Sequence, residues 1–264
     1  MTHPHLESEL ARLAESDAPI ALVTGAARRV GRAIALELAR AGCDIVIHHH
    51  ASEADARGVR AEIQSLGRRG VCWRLDLSEL TDVEHGAAEL AGLLPRLDVL
   101  VHNASIYAPT PIASLNAEML SRFHAVNAGS PALLSAALCG HLSRSALDGG
   151  GAIVAMLDIH AMGLPRREFV PYAMSKASLH ELVRSLARDL APRVRVNGVA
   201  PGVVAWPEDG YESDRAAQEA YLTRVPLARP GTPGDAAEAV RWLALEARYV
   251  TGQVIRVDGG RSLM

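Results

Sequence analysis

The chain has 264 residues, 49% of them hydrophobic, enough for one large α/β domain with a sizeable core. A formal net charge of −3 shows no bias toward nucleic acid or a membrane, and no apolar run approaches the roughly 20 residues of a membrane helix. The polar, acidic N-terminus lacks a signal-peptide pattern, and Cys43, Cys72 and Cys139 lie far apart without metal spacing, so reduced core thiols in a cytoplasmic protein are expected.

Residues 1–18 read as a short helix or a frayed arm, and 19–264 as one domain. Ile20–Thr24 is a short apolar strand ending at Gly25. Val30–Ala41 carries apolar residues at helical spacing (Val30, Ile34, Leu38) and stops at Gly42, a C-cap residue. Asp44–His48 is the second strand. Val71–Leu75, Leu97–His102, Gly151–Leu157, Val194–Val199 and Gln253–Val257 are the others. Helical patterns over Ala54–Leu66, Thr81–Leu94, Met119–Leu138, Tyr172–Leu190 and Asp235–Leu245 separate most of them. This alternation predicts an α/β fold, a doubly wound parallel sheet with helices on both faces. Pro201–Pro233, rich in Pro, Gly and charge, interrupts the alternation and reads as a lid or binding loop.

Two features carry chemistry. Thr24-Gly-Ala-Ala-Arg-Arg-Val-Gly31 joins a strand to a helix. Gly25 permits a tight turn, Gly31 lets the helix start close to the strand, and the helix N-terminus offers free N–H groups to a pyrophosphate. The second feature is Lys176, the sole lysine among 27 Lys+Arg residues. Tyr172 precedes it by one helical turn, which stacks phenol and ammonium on one face. A cation there is expected to lower the tyrosine pKa from about 10 and make it a usable proton donor. A chance Tyr-x-x-x-Lys is the bland alternative.

With these residues the chain resembles the short-chain dehydrogenase/reductase family, from about residue 19 to the C-terminus. The resemblance covers the Thr24–Gly31 loop, Asp76, Asn103-Ala-Ser105, Asn127, Tyr172 with Lys176, Pro201-Gly202, Val250-Thr-Gly252 and Asp258-Gly-Gly260. It implies a single Rossmann-type domain, usually a homotetramer, that moves hydride to or from a nicotinamide. It also implies that Gly25, Arg28, Val30, Gly31, Asp76 and Leu77 hold the cofactor, together with Asn103, Ala104, Pro201 and Gly202. Asn127 would hold a water or Lys176 in a proton relay.

Three departures resemble the pteridine reductase and dihydromonapterin reductase branch. The middle glycine of the loop is Arg29, the usual catalytic serine is Asp158, and the asparagine motif runs on to Tyr107. There the arginine touches cofactor phosphate and pterin, the aromatic stacks on the pterin ring, and the residue at Ser105 bonds the substrate. Asp158 lies fourteen positions before Tyr172 against the family's usual thirteen, which implies a one-residue insertion in Met162–Val170. Chemistry independent of the resemblance agrees: a carboxylate accepts hydrogen bonds, suits a ring rich in N–H groups and repels a developing alkoxide. The bland alternatives are a turn or cap residue for Asp158, a core or surface aromatic for Tyr107 and a solvated charge for Arg29.

His48-His49-His50 ends the second strand, where NAD enzymes place an acidic residue for the ribose. Surface imidazoles or an adventitious metal site are bland readings. The resemblance matches His50 and Ser52 to residues that hold the 2′-phosphate of NADP, with Arg28 or Arg29 compensating for Ala51. Trp206, before Pro207 and Glu208, either lines the substrate mouth or packs within its loop. The expected protein is an NADPH-dependent reductase of a pterin or folate-type small molecule, without a metal. A ketone or 3-oxoacyl thioester reductase is the first rival and a non-catalytic NADP-binding sensor the second.

Overall fold

The computed structural model describes residues 4–206 and 213–264; Pro207 and Glu208 lie outside the described residues. Seven parallel strands form one sheet in the order β3-β2-β1-β4-β5-β6-β7. They are β1 (Ile20–Val23), β2 (Asp44–His49), β3 (Gly70–Arg74), β4 (Val99–His102), β5 (Gly151–Met156), β6 (Val194–Pro201) and β7 (Val254–Val257). The helices are α1 (Pro4–Ala11), α2 (Arg29–Arg40), α3 (Glu53–Ser65), α4 (Leu80–Leu93), α5 (Ala117–His124), α6 (Ser130–Leu142), α7 (Val170–Asp189), α8 (Arg215–Leu222) and α9 (Pro233–Arg241).

Both faces of the sheet are covered, so β1, β2, β4 and β5 are buried at every position rather than at alternate ones. Leu22, Val46 and Leu100 point to one face, where Leu90 of α4, Leu134 of α6 and Leu179 of α7 meet them. Val23, Ile45 and Val101 point to the other, against Ile34 of α2, Ile63 of α3 and Val240 of α9. Strand order reverses between β1 and β4. In open α/β sheets the crevice beyond the carboxyl ends at that point is where ligands bind.

Local signals explain the element ends. Gly42 (φ +100) follows the end of α2 in the left-handed region. Thr232 and Asp235 form a capping box at α9, with Pro233 in its first turn. Arg195 on β6 is buried, and its guanidinium donates to the carbonyls of Leu243, Ala244 and Ala247 at the end of the following turn, where cations are favoured.

Two elements differ from the sequence expectation, and the first 18 residues take the helical one of their two readings. The pattern over 119–138 is two helices joined by a π turn, Ala125–Gly129. The 201–233 segment contains α8, capped by Asp214. Residues 1–18 include α1, whose Leu10 is fully buried, and Leu13 just after it is 1% exposed; Glu9 pairs with Arg60 at 2.5 Å. No helix among the described residues is long and apolar enough to cross a membrane.

Candidate active site

A cavity of about 800 Å³ opens at the β1/β4 switch point. Its floor is the first turn. Gly25 takes φ +63, and a Cβ there would stand 3.0 Å from the Cα of Ala104. A Cβ on Gly31 would be 2.0 Å from the carbonyl oxygen of Gly25, so only glycine lets α2 begin this close to β1. No side chain caps α2, which leaves its first-turn N–H groups for a ligand. Asn103 stitches β4 to this turn: its Nδ2 donates to Thr24 O at 2.9 Å and Gly25 O at 3.2 Å. The glycine cradle, the uncapped helix and the cavity fit a bound dinucleotide. Val30, Asp76, Leu77, Pro201 and Gly202 line the same cavity.

Arg29 occupies the usual middle-glycine position with φ +50. Left-handed backbone costs a residue with a side chain about 1–2 kcal/mol, and such outliers cluster at functional sites. Its guanidinium donates to Ala205 O at 3.0 Å and Trp206 O at 2.8 Å, tying the loop of α2 to the segment after β6. Arg28 turns the opposite way, pairing with Asp55 of α3 at 2.6 Å. The two neighbours thus serve opposite ends of the cavity.

The histidine triplet divides. His48 is buried, contrary to the surface reading. Its Nδ1 accepts from Gly25 N at 3.0 Å and its Nε2 faces Leu75 O at 3.1 Å, so the proton sits on Nε2. Burial pushes its pKa down to about 4. His49 is also buried, on the other face. His50 lines the cavity and stands 3.5 Å from Asp76. Ser52 precedes α3 and is not among the lining residues, so of the two residues matched to the 2′-phosphate His50 is the one on the cavity wall. Glu53, next to Ser52, pairs with Arg57 at 2.5 Å. Among the described residues no His, Cys, Asp and Glu cluster could hold a metal ion.

His102, buried at the end of β4, has its pKa pushed down to about 3 by burial. Both rings stay neutral in the fold and take a proton in the unfolded chain below its ordinary pKa of about 6.5. Unfolding free energy is therefore full above about pH 6.5 and falls as pH drops toward 4, by up to about 1.4 kcal/mol per unit for each ring. Urea titrations at pH 7 and 5 should show that loss, with a shallower slope in His102→Gln; equal stability at both values would contradict it.

Helix α7 presents Tyr172 and Lys176 to the cavity one turn apart, with Pro171 in its first turn. The Tyr172 hydroxyl donates to Asp158 Oδ2 at 2.7 Å. Asp158 Oδ1 accepts from His160 N at 2.7 Å, so this residue is a cap and a phenol partner at once. The Lys176 ammonium donates to Met156 O at 2.7 Å and lies 5.9 Å from the Tyr172 ring centre. The expected downward shift of the phenol is overturned. Burial, then the charge and hydrogen bond of Asp158, hold the Tyr172 pKa well above its ordinary value. The carboxylate contacts the hydroxyl directly while the ammonium does not. Burial also lowers Lys176 to about 8, against the opposing pull of Asp158.

Asn127 is fully buried in the π turn and makes no direct hydrogen bond to Lys176, whose ammonium donates to Met156 O. Its Oδ1 accepts from Ile106 N at 2.8 Å, and its Nδ2 donates to Ile106 O at 3.1 Å and Ser175 Oγ at 2.9 Å. It pins the chain between Ser105 and Tyr107, both of which line the cavity. Such π turns recur at functional sites. Tyr107 is 37% exposed, stacked on Phe169 with centres 4.8 Å apart and edge-on to Tyr172 at 4.9 Å. Trp206 is not on the cavity wall; its ring packs edge-on against Tyr221 of α8 at 5.5 Å. Sequence reasoning missed Phe169, Arg166 and His160. Phe169, one of only two phenylalanines, lies three residues before Tyr172, and that spacing was a usable signal.

A family model described as enoyl-(acyl carrier protein) reductase matches residues 25–262. The chain belongs to the short-chain dehydrogenase/reductase family. Similar members include a Streptomyces violaceoruber protein assigned as ketoacyl reductase 2 of the granaticin polyketide synthase, 36% identical over 94% of this chain and 98% of that one. The 3-oxoacyl-[acyl-carrier-protein] reductase of Staphylococcus aureus is 32% identical over 91% and 96%, and the glucose 1-dehydrogenase of Gluconobacter oxydans 32% over 92% and 91%. An NAD(P)-dependent oxidoreductase of this family follows. None of these three is a pteridine reductase, so they support the family and not that branch.

Proposed function

We propose that this short-chain reductase uses NADPH to reduce a C=N bond of a pterin-type ring. The observation that carries the reading is the Tyr172 hydroxyl resting on the Asp158 carboxylate at 2.7 Å. Where the family's usual serine donates to a carbonyl oxygen, this site has an acceptor. Ring N–H and amino groups gain a partner there, and a developing alkoxide meets repulsion. Bound NADPH supplies a hydride to the ring carbon. Tyr172, kept protonated by burial and Asp158, gives its proton to the adjacent ring nitrogen. Lys176, one turn away, opposes the charge left on the phenol oxygen. Tyr107 forms one wall of a slot for a flat ring, and Ser105 and Arg29 add donors for substrate acceptor atoms.

For the cofactor, His50 and Arg28 flank the end of β2, with the Glu53 carboxylate engaged by Arg57. Charged hydrogen bonds to the 2′-phosphate are worth about 1.5–3 kcal/mol each, so NADPH should be preferred over NADH at least about tenfold in kcat/KM. Equal or better efficiency with NADH would overturn this assignment.

The second reading is reduction of a 3-oxoacyl thioester or simple ketone. The names of the relatives favour it, since two are ketoacyl or 3-oxoacyl reductases. Steady-state assays on dihydrobiopterin, dihydromonapterin, dihydrofolate and an acetoacetyl thioester separate the two readings. A non-catalytic NADP sensor would bind NADPH and turn over none of them.

A further inference from the structure

We infer that the segment 162–169 is a specificity element of this site, in which Arg166 is a positioning residue that, with Phe169, locks the Tyr107 ring as a preformed wall for a flat substrate ring. The inference rests on the pterin-type reading above and extends it to side chains that the family's motifs do not contain.

The geometry is a three-part clamp. Phe169 covers one face of Tyr107 at 4.8 Å, nearly parallel, with 29° between the planes. The Arg166 guanidinium lies 4.6 Å from the Phe169 ring centre and 5.7 Å from that of Tyr107, and donates to the Tyr107 hydroxyl. A planar guanidinium suits this role because it stacks and donates at once, which an ammonium does not. Phe169 is 7% exposed, whereas Tyr107 keeps 37% of its surface and lines the cavity. The covered ring is the buttress and the open ring is the wall.

The backbone is shaped to deliver these two side chains. Gly163 takes φ +106 and Glu168 φ +63, the latter uncommon for a residue with a Cβ. The Glu168 carbonyl is held by Thr110 N at 2.5 Å, and Thr110 bridges Phe169, so the segment is tied to the chain just after Tyr107. This is the stretch in which Asp158 and Tyr172 stand fourteen residues apart. The longer connection gives the site its clamp. A wall fixed before binding lowers the ordering cost of stacking a flat ring and offers less to a flexible acyl chain.

The test compares wild type, Arg166→Met, Tyr107→Phe and the double variant, with KM and kcat for a dihydropterin and the Kd for NADPH measured by fluorescence. Each single variant should raise the dihydropterin KM about tenfold, with kcat within twofold and NADPH affinity unchanged. The double variant should be no worse than the weaker single, because both remove one bond. Arg166→Lys should fall between wild type and Arg166→Met. Unchanged KM in both singles, multiplying effects in the double, or an equal loss of NADPH affinity would overturn the inference. Tyr107→Phe keeps the ring and reads the same bond if Arg166→Met does not fold. Wild-type turnover is measured first: its absence with every dihydropterin sinks the pterin reading and this inference together, whereas normal wild-type turnover with insensitive variants sinks this inference alone.

Discussion

Lys176→Arg should lose most of the turnover although it keeps the charge. Lys176 is 2% exposed and its ammonium donates to Met156 O at 2.7 Å, in a space that holds a compact point charge. A guanidinium is wider, planar and demands five acceptors, so it displaces the strand end or swings away from Tyr172. Tyr172→Phe removes the proton donor itself, and positioned proton transfer contributes about 10²–10⁴-fold to rate. Both variants should therefore drop kcat by about a hundredfold or more in NADPH oxidation assays. NADPH binding to Tyr172→Phe should stay largely intact, since the cradle at Gly25 and Gly31 is untouched. A near wild-type rate for Lys176→Arg would refute the role assigned to the ammonium.

Asp158→Ser should exchange one substrate class for another. The carboxylate accepts the Tyr172 hydroxyl and is the acceptor assigned to ring N–H groups. A serine hydroxyl can still cap the turn at His160, so the fold should survive. It also donates, and one donor aimed at a developing oxyanion is worth about 10²–10³ in kcat. Removing the negative charge lets the Tyr172 pKa fall from its raised value. Dihydropterin kcat/KM should drop at least about tenfold while thioester or ketone reduction rises above the wild-type level. Unchanged activity toward both would show that Asp158 is only the cap of its turn.

The sheet and most helices were legible because both faces of the sheet are buried. That burial writes continuous apolar strands and single-faced helices directly into the chain. The π turn at Asn127 was not legible: a one-residue slip scarcely disturbs an apolar period, and 119–138 read as one helix. Helix α8 was missed because it is only eight residues long and fully buries none of them. In the site, Gly25, Gly31 and the Tyr172–Lys176 pair follow from steric and helical rules confined to a few residues. The direction of the Tyr172 shift does not, because it is set by a carboxylate on another element. His48 looked like surface chemistry from its polarity, yet a bond accepted at Nδ1 and one donated from Nε2 let it be buried. Arg166 reaches Tyr107 across 59 positions, a contact no local pattern encodes.

The most direct measurement is kcat/KM with NADPH for a dihydropterin and for an acetoacetyl thioester on one preparation of the wild-type protein. An acceptor carboxylate at 158, an aromatic wall at 107 and an arginine at 29 lead to ready NADPH oxidation with the dihydropterin and little with the thioester. Robust thioester turnover with no dihydropterin turnover would contradict the account and leave a ketoacyl-type reductase in its place.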